Sequence, residues 1–133
     1  MAISIGLVLA ISIGLFATII GLDKDRAFYP TVMMVIAGYY ILFGAMGAPP
    51  ETVVAESVAA AVFIAAASWG FKSSLWIVVL ALATHGVFDF FHADLIPDPG
   101  VPIWWPSFCL AYDVAAAGYL AFLLHRGRIR AAT

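Results

Sequence analysis

The stretch SLWIVVLALATHGVFDFFH, residues 74–92, contains no lysine or arginine and only three ionisable side chains. A helix over these residues is about 28 Å long, close to the thickness of the hydrocarbon core of a membrane. The stretch therefore predicts a transmembrane helix. Its ionisable residues, His85, Asp89 and His92, are spaced four and three positions apart, so a helix places them on one face.

The composition of the whole chain agrees with a membrane location. The chain has 133 residues, of which 65% are hydrophobic and 11% charged, and its mean hydropathy is +1.06. Soluble domains carry about 25% charged residues. A net charge of -2 does not supply the basic surface that binds nucleic acid. We therefore expect an integral membrane protein in contact with the lipid bilayer, and no nucleic-acid partner.

The apolar runs predict an all-α integral membrane protein, a five-helix transmembrane bundle that forms a single domain over residues 1–133. Pro30, Pro50 and Pro106 each lie where a helix can begin, because a proline in the first turn sacrifices no hydrogen bond. Residues 1–20 lack the basic start of a cleavable signal and are interpreted as a retained first span. The predicted helices lie near residues 3–20, 30–46, 50–68, 74–92 and 106–124.

The basic residues predict the orientation of the bundle. With five spans, they all fall on one side of the membrane, whereas four spans would divide them between both sides. They are Lys24, Arg26, Lys72, Arg126, Arg128 and Arg130. Cytoplasmic loops concentrate lysine and arginine, so we expect the N-terminus outside and the C-terminus in the cytoplasm. The same pattern and the short loops favour a bacterial inner (cytoplasmic) membrane.

The first predicted helix contains a stripe of small residues. The segment AISIGL occurs twice, so Ala2, Gly6, Ala10 and Gly14 recur every four positions. Small residues at this spacing allow two helices to approach closely. We interpret the stripe as a packing face inside the bundle. The alternative is a contact between copies in a homo-oligomer, or with a larger membrane complex.

Two further acidic residues lie within apolar runs, Glu56 in the third helix and Asp113 in the fifth. From the rise of a helix, these residues and His85 each lie about 9–10 Å below the outer ends of their helices. A charge that faces lipid costs several kcal/mol, whereas one that faces the interior finds a partner. We therefore expect the ionisable groups of three helices to converge in the outer half of the membrane.

Histidine nitrogen and carboxylate oxygen are the donors that bind zinc, iron or manganese. We therefore predict a divalent metal site with His85, Asp89, His92 and Asp113 as ligands. Glu56 and Asp113 are the predicted catalytic residues, with Glu56 as general base. Two alternatives remain for the cluster, namely a metal-free proton relay or polar substrate pocket, and structural hydrogen bonding alone.

The segment between the fourth and fifth helices, residues 94–106, contains four prolines, which limit its conformational freedom. We interpret it as a stiff lid over the outer end of the site, or alternatively as an interfacial turn with aromatic anchors. Trp104 and Trp105 in this segment, together with Tyr39 and Cys109, are the predicted residues of a substrate pocket.

The sequence has no nucleophile elbow, no glycine-rich phosphate loop and no His-Glu-x-x-His pair. Our first hypothesis is a small membrane enzyme that uses its metal ion on a lipid or isoprenoid-like substrate near the outer leaflet. The second is a non-catalytic accessory subunit or binding module of a larger membrane complex. In that case the polar cluster would hold a quinone, a pigment, a lipid or a partner helix.

Overall fold

The computed structural model describes residues 1–132 and is all-helical. Five of its helices within this range are long and apolar enough to cross a membrane. They are α1 (Ala2–Ile20), α2 (Phe28–Gly47), α3 (Pro50–Lys72), α4 (Leu75–Leu95) and α5 (Trp105–His125). The prediction of an all-α fold with five membrane-length helices is confirmed, and the orientation of the termini stays a prediction.

Residues with special backbone preferences mark several helix ends. Pro50 is the first residue of α3 and Pro106 the second residue of α5, where a proline costs no hydrogen bond. Gly21 ends α1 with a φ of 81°, a left-handed conformation that glycine adopts without steric cost. Ser74 caps α4, because its hydroxyl accepts a hydrogen bond from the backbone N–H of Trp76 at 3.4 Å.

The helices follow one another in space in the order α1, α5, α4, α3, α2. Helix α4 also packs against α2, so it contacts three of the other four helices. This central position explains why α4 buries a complete face that runs from Val78 through Leu82 to His92. The ionisable residues of the quoted stretch belong to this face.

The small residues of α1 pack against α5. A side-chain carbon on Gly6 would collide with the carbonyl group of Phe108, and one on Gly14 would collide with the ring of Tyr119. Ala10, between the two glycines, is also buried. The stripe therefore serves packing within the chain, and a contact between copies stays a prediction.

The two ends of the bundle differ in composition. One end contains segments 21–27, 73–74 and 126–132, and every lysine and arginine lies in or next to them. We call it the basic end, and under the positive-inside rule we expect it to face the cytoplasm. The opposite end contains segments 48–49 and 96–104, which are rich in proline, and we call it the proline end.

The loop between α4 and α5 folds across the proline end of α2. Gly100 lies so close to the carbonyl group of Phe43 that any side-chain carbon there would collide with it. Asp98 fixes the turn, because its Oδ1 accepts a hydrogen bond from the backbone N–H of Gly100 at 2.8 Å. The loop thus covers the end of α2 that lies nearest the ionisable residues.

Candidate metal centre

All five ionisable residues expected to face the interior are buried: Glu56, His85, Asp89, His92 and Asp113. Three of them come from the central helix α4, whose spacing of four and three residues places them on one face. The other two come from α3 and α5, which flank α4 on either side. They form two groups.

The first group consists of His85, Asp89 and Asp113, and we call it the triad. Nδ1 of His85 lies 2.7 Å from Oδ2 of Asp113 and 3.2 Å from Oδ2 of Asp89. One donor atom from each residue lies within 4.8 Å of the others. Gly86 favours this approach, since a side-chain carbon there would lie 3.2 Å from Cβ of Asp113 and 3.3 Å from the carbonyl oxygen of Leu110 on α5, which is closer than an ordinary contact.

Three carboxylate oxygens of the triad have no hydrogen-bond partner within residues 1–132. They are both oxygens of Asp89 and Oδ1 of Asp113. The two side chains are 0% exposed, and a buried carboxylate oxygen without a partner is costly. Because coordination of a cation would satisfy these atoms, the donor set fits a divalent metal ion.

The second group is the Glu56–His92 pair, which joins α3 to α4. Nε2 of His92 lies 2.6 Å from Oε1 of Glu56. The imidazole of His92 also stacks on the ring of Tyr40, with the ring centroids 3.9 Å apart and the planes inclined by 16°. The structure therefore brings His92 together with Glu56, the predicted base, and not with the other three predicted ligands.

Aromatic rings surround both groups. The ring of Phe63 packs edge-on against His85 at 4.6 Å, and that of Phe88 lies 6.0 Å from His85 and 5.6 Å from His92. The ring of Tyr40 lies 6.4 Å from that of His85. These rings give the site apolar walls, and a low local dielectric strengthens the electrostatic interactions inside it.

Tyr39 is a predicted residue of the substrate pocket. The buried tyrosine beside the two histidines is its neighbour Tyr40. The buried residues of α2 include Met33, Ile36 and Ala37, which share the face of Tyr40 at helical spacing. That face could have pointed to Tyr40, but α2 is apolar on every side, so its hydrophobic pattern selects no face. Nothing in the sequence pattern indicated that Phe63 packs against His85.

A cavity of about 560 Å³ separates α2 from α1 and α5, and we call it the α2–α5 cavity. Three of the predicted pocket residues line it, namely Tyr39, Trp105 and Cys109. Trp104 does not line it and is half-exposed. Asp113 also contributes to the wall, so the cavity reaches the triad from the side of α5.

Comparisons with known proteins assign no family to the chain. No protein-family model, no curated protein and no solved structure matches it. A function for the chain is therefore inferred from the geometry and chemistry of the triad, the Glu56–His92 pair and the α2–α5 cavity.

Proposed function

We propose that this bundle is a small membrane enzyme that binds one divalent metal ion at the triad and acts on a lipid or isoprenoid-like molecule. The observation that carries the proposal is the donor set itself. One nitrogen and two carboxylate oxygens lie within 4.8 Å of one another, and three of the four carboxylate oxygens of the triad lack a hydrogen-bond partner in the described chain. Such a mixed set suits zinc, iron or manganese.

Charge favours a metal ion over hydrogen bonding alone. Nδ1 of His85 carries at most one hydrogen, so it can donate to Asp113 or to Asp89 but leaves one of them unsatisfied. A protonated imidazole balances only one of two ionised carboxylates, so without a cation the second must stay a buried charge or bind a proton. Ionised groups inside a membrane protein are tolerated where they are paired. A divalent cation balances both carboxylates.

Three protein ligands are fewer than a metal ion of this kind accepts, so coordination positions stay open for reactants. A metal ion in such a site activates a water molecule or polarises a carbonyl group. We assign Glu56 the role of general base, with His92 holding it by the 2.6 Å contact. Tyr40 contacts His92 and lies near His85, which supports a base close to the triad.

The lipid-like substrate follows from the location of the site. The triad lies inside a bundle whose helices are long and apolar enough for a membrane, and an apolar cavity approaches it. With the basic end in the cytoplasm, the triad lies in the outer half of the bilayer. We propose a bacterial inner membrane as the location on the same grounds.

Metal analysis tests the proposal directly. The protein is purified without affinity histidines, exposed to zinc, iron or manganese, and analysed for metal content by mass spectrometry. We expect about one ion per chain, and Asp89→Asn to lower the affinity by about 10- to 100-fold or more, since even supporting residues have effects of that size. Asp94→Asn is the matched control, because Asp94 lies exposed on the same helix. Equally low metal content in the wild type and in Asp89→Asn would overturn the proposal.

A second candidate function rests on the 2.7 Å contact between His85 and Asp113, which is also the length of a hydrogen bond. In this case the triad binds no metal, and the protein is an accessory subunit or binding module that holds a quinone, pigment or lipid in its cavity. Such a protein would co-purify with a larger membrane complex after mild solubilisation, and it would contain no metal. The metal measurement therefore separates the two functions.

A further inference from the structure

The α2–α5 cavity is elongated along the helices. On α2 its wall extends from Phe28 to Tyr39, so the cavity is about 17 Å long at the rise of an α-helix. Its volume of about 560 Å³ lies within the range of about 300–1,000 Å³ that is typical of small-molecule sites. Length and volume together suit a long, narrow molecule.

The cavity opens towards lipid between α1 and α2. Helix α1 packs against α5, and α2 packs against α3 and α4, but within residues 1–132 α1 and α2 do not pack closely on each other. Leu9 on α1 and Val35 on α2 both line the cavity and are 40% and 55% exposed. A molecule dissolved in the bilayer therefore reaches the cavity without crossing water.

The buried polar atoms of the cavity residues that lack a hydrogen-bond partner lie towards the proline end, whereas Asp25 and Thr31, towards the basic end, are exposed. Most of the wall is apolar or aromatic, and Asp25, at the basic end, is exposed and bonds the backbone N–H of Ala27. On α5, by contrast, Oδ1 of Asp113 and the indole N–H of Trp105 are buried without a hydrogen-bond partner in the described chain. Trp105 and Asp113 line the cavity next to the triad, and they thus bring an unpartnered donor and an unpartnered acceptor close to it.

We propose that the α2–α5 cavity delivers the substrate to the metal centre, and that the substrate has one long apolar chain with an uncharged, oxygen-bearing end group. The chain enters between α1 and α2 and lies along α2 towards Phe28. The end group, an alcohol or a carbonyl, lies between Trp105 and Asp113. An anionic end group is disfavoured because the divalent ion already balances the two carboxylates of the triad, so the anion would add an uncompensated buried charge. This inference deepens the proposed function and rests on it.

Photoaffinity labelling tests the inference on the intact protein. Hexadecanol with a diazirine at the far end of its chain should label residues near Phe28, and the same alcohol with the diazirine beside the hydroxyl should label residues near Cys109. Geranylgeraniol with the same group distinguishes an isoprenoid chain from an unbranched one. The corresponding fatty acid should label at least about tenfold less, a difference of the size that one unfavourable charge interaction produces.

Substitutions of residues at the opening of the cavity provide a matched comparison of labelling. Val35→Trp should lower labelling by about tenfold, the effect expected when two methylene groups of the chain lose their buried contacts. Leu9→Trp, on the other side of the opening, should act in the same way if Val35→Trp does not fold. Val58→Trp is the control, because Val58 is 62% exposed on α3 and does not line the cavity.

The outcomes separate this inference from the metal proposal. Labelling that spreads over all lipid-facing helices, or that Val35→Trp and Leu9→Trp leave at the wild-type level, would overturn the cavity as a binding site even if the protein contains metal. Equal labelling by the fatty acid would overturn the uncharged end group. Specific labelling in a protein that binds no metal would overturn the metal centre and the delivery role, and would identify the cavity with the binding module.

Discussion

The triad and the Glu56–His92 pair use the same types of side chain, share one face of α4 and are almost completely buried. They differ in the ratio of histidine to carboxylate. In the pair, one imidazole meets one carboxylate at 2.6 Å. In the triad, one imidazole faces two carboxylates, at 2.7 Å and 3.2 Å.

This difference determines what each group needs from its surroundings. One protonated imidazole balances one carboxylate, so the pair can be neutral without a cation, although Oε2 of Glu56 has no hydrogen-bond partner in the described residues. The triad has one carboxylate more than it has imidazoles. In residues 1–132, neither oxygen of Asp89 has a hydrogen-bond partner. An uncompensated buried charge costs several kcal/mol. The comparison therefore predicts that the triad depends on a cation and that the pair does not.

The largest expected effect comes from breaking the pair. His92→Ala leaves Glu56 buried without its partner, which should lower the free energy of unfolding by about 3–5 kcal/mol. The double variant Glu56→Gln/His92→Ala should recover much of the loss, because no buried charge remains. Unfolding in mixed micelles measures both values. If added metal restored the free energy of unfolding of His92→Ala but not that of the double variant, the metal would bind Glu56. That result would contradict the separation of the triad from the pair.

The next effect concerns metal affinity. Asp113→Asn removes a triad carboxylate and should weaken metal binding by about 100-fold, or about 2.7 kcal/mol. Glu56→Gln changes a carboxylate of the pair in the same way and should alter the affinity less than about threefold, well under 1 kcal/mol. Competition with a chelating dye gives both constants. Similar losses in the two variants would mean that the triad and the pair form one metal site.

Metal removal should affect stability through the triad alone. At a free metal concentration ten times the dissociation constant, binding contributes about 1.4 kcal/mol to the free energy of unfolding. A chelator should remove this contribution from the wild type and from Glu56→Gln. Asp89→Asn, with an affinity about 10- to 100-fold lower, should respond to the chelator by at most about 0.4 kcal/mol, and a response of wild-type size in that variant would place the cation elsewhere.

Much of the fold was predictable because it depends on properties that a sequence carries directly. Long apolar runs give the membrane-length helices, and Pro50 begins α3 as expected. The face shared by His85 and Asp89 follows from helical spacing alone, whatever packs against it. The approach of Asp113 to His85 was expected from their similar depths, because buried ionisable groups in a membrane seek partners.

The pairing within the site was not predictable. Depth along a helix follows from its rise, but the rotation of α3 about its own axis does not, so sequence reasoning left Glu56 without an assigned histidine. The same limit applies to Tyr39 and Tyr40, which are neighbours in the sequence. Tyr39 is partly exposed, whereas Tyr40 is buried. Asp23 shows a different limit. It lies in a charged segment, where side chains are usually solvated, yet it is buried and its carboxylate accepts a hydrogen bond from the Thr18 hydroxyl at 2.5 Å.

The smallest expected change in stability concerns Tyr40. Its ring contacts the pair and lies near the triad, so a substitution there tests to which group it belongs. Its hydroxyl is buried near Asp89 and makes no hydrogen bond of acceptable geometry in the part of the chain that the structure describes. Tyr40→Phe keeps the stacked ring and removes that unsatisfied group, so the metal-free protein should gain up to about 1 kcal/mol in unfolding free energy. Tyr39→Phe, on the more exposed neighbour, should change it by less than about 0.5 kcal/mol. A loss of stability in Tyr40→Phe that appears only with metal bound would instead assign the hydroxyl to the metal centre, because the pair is the same in both states.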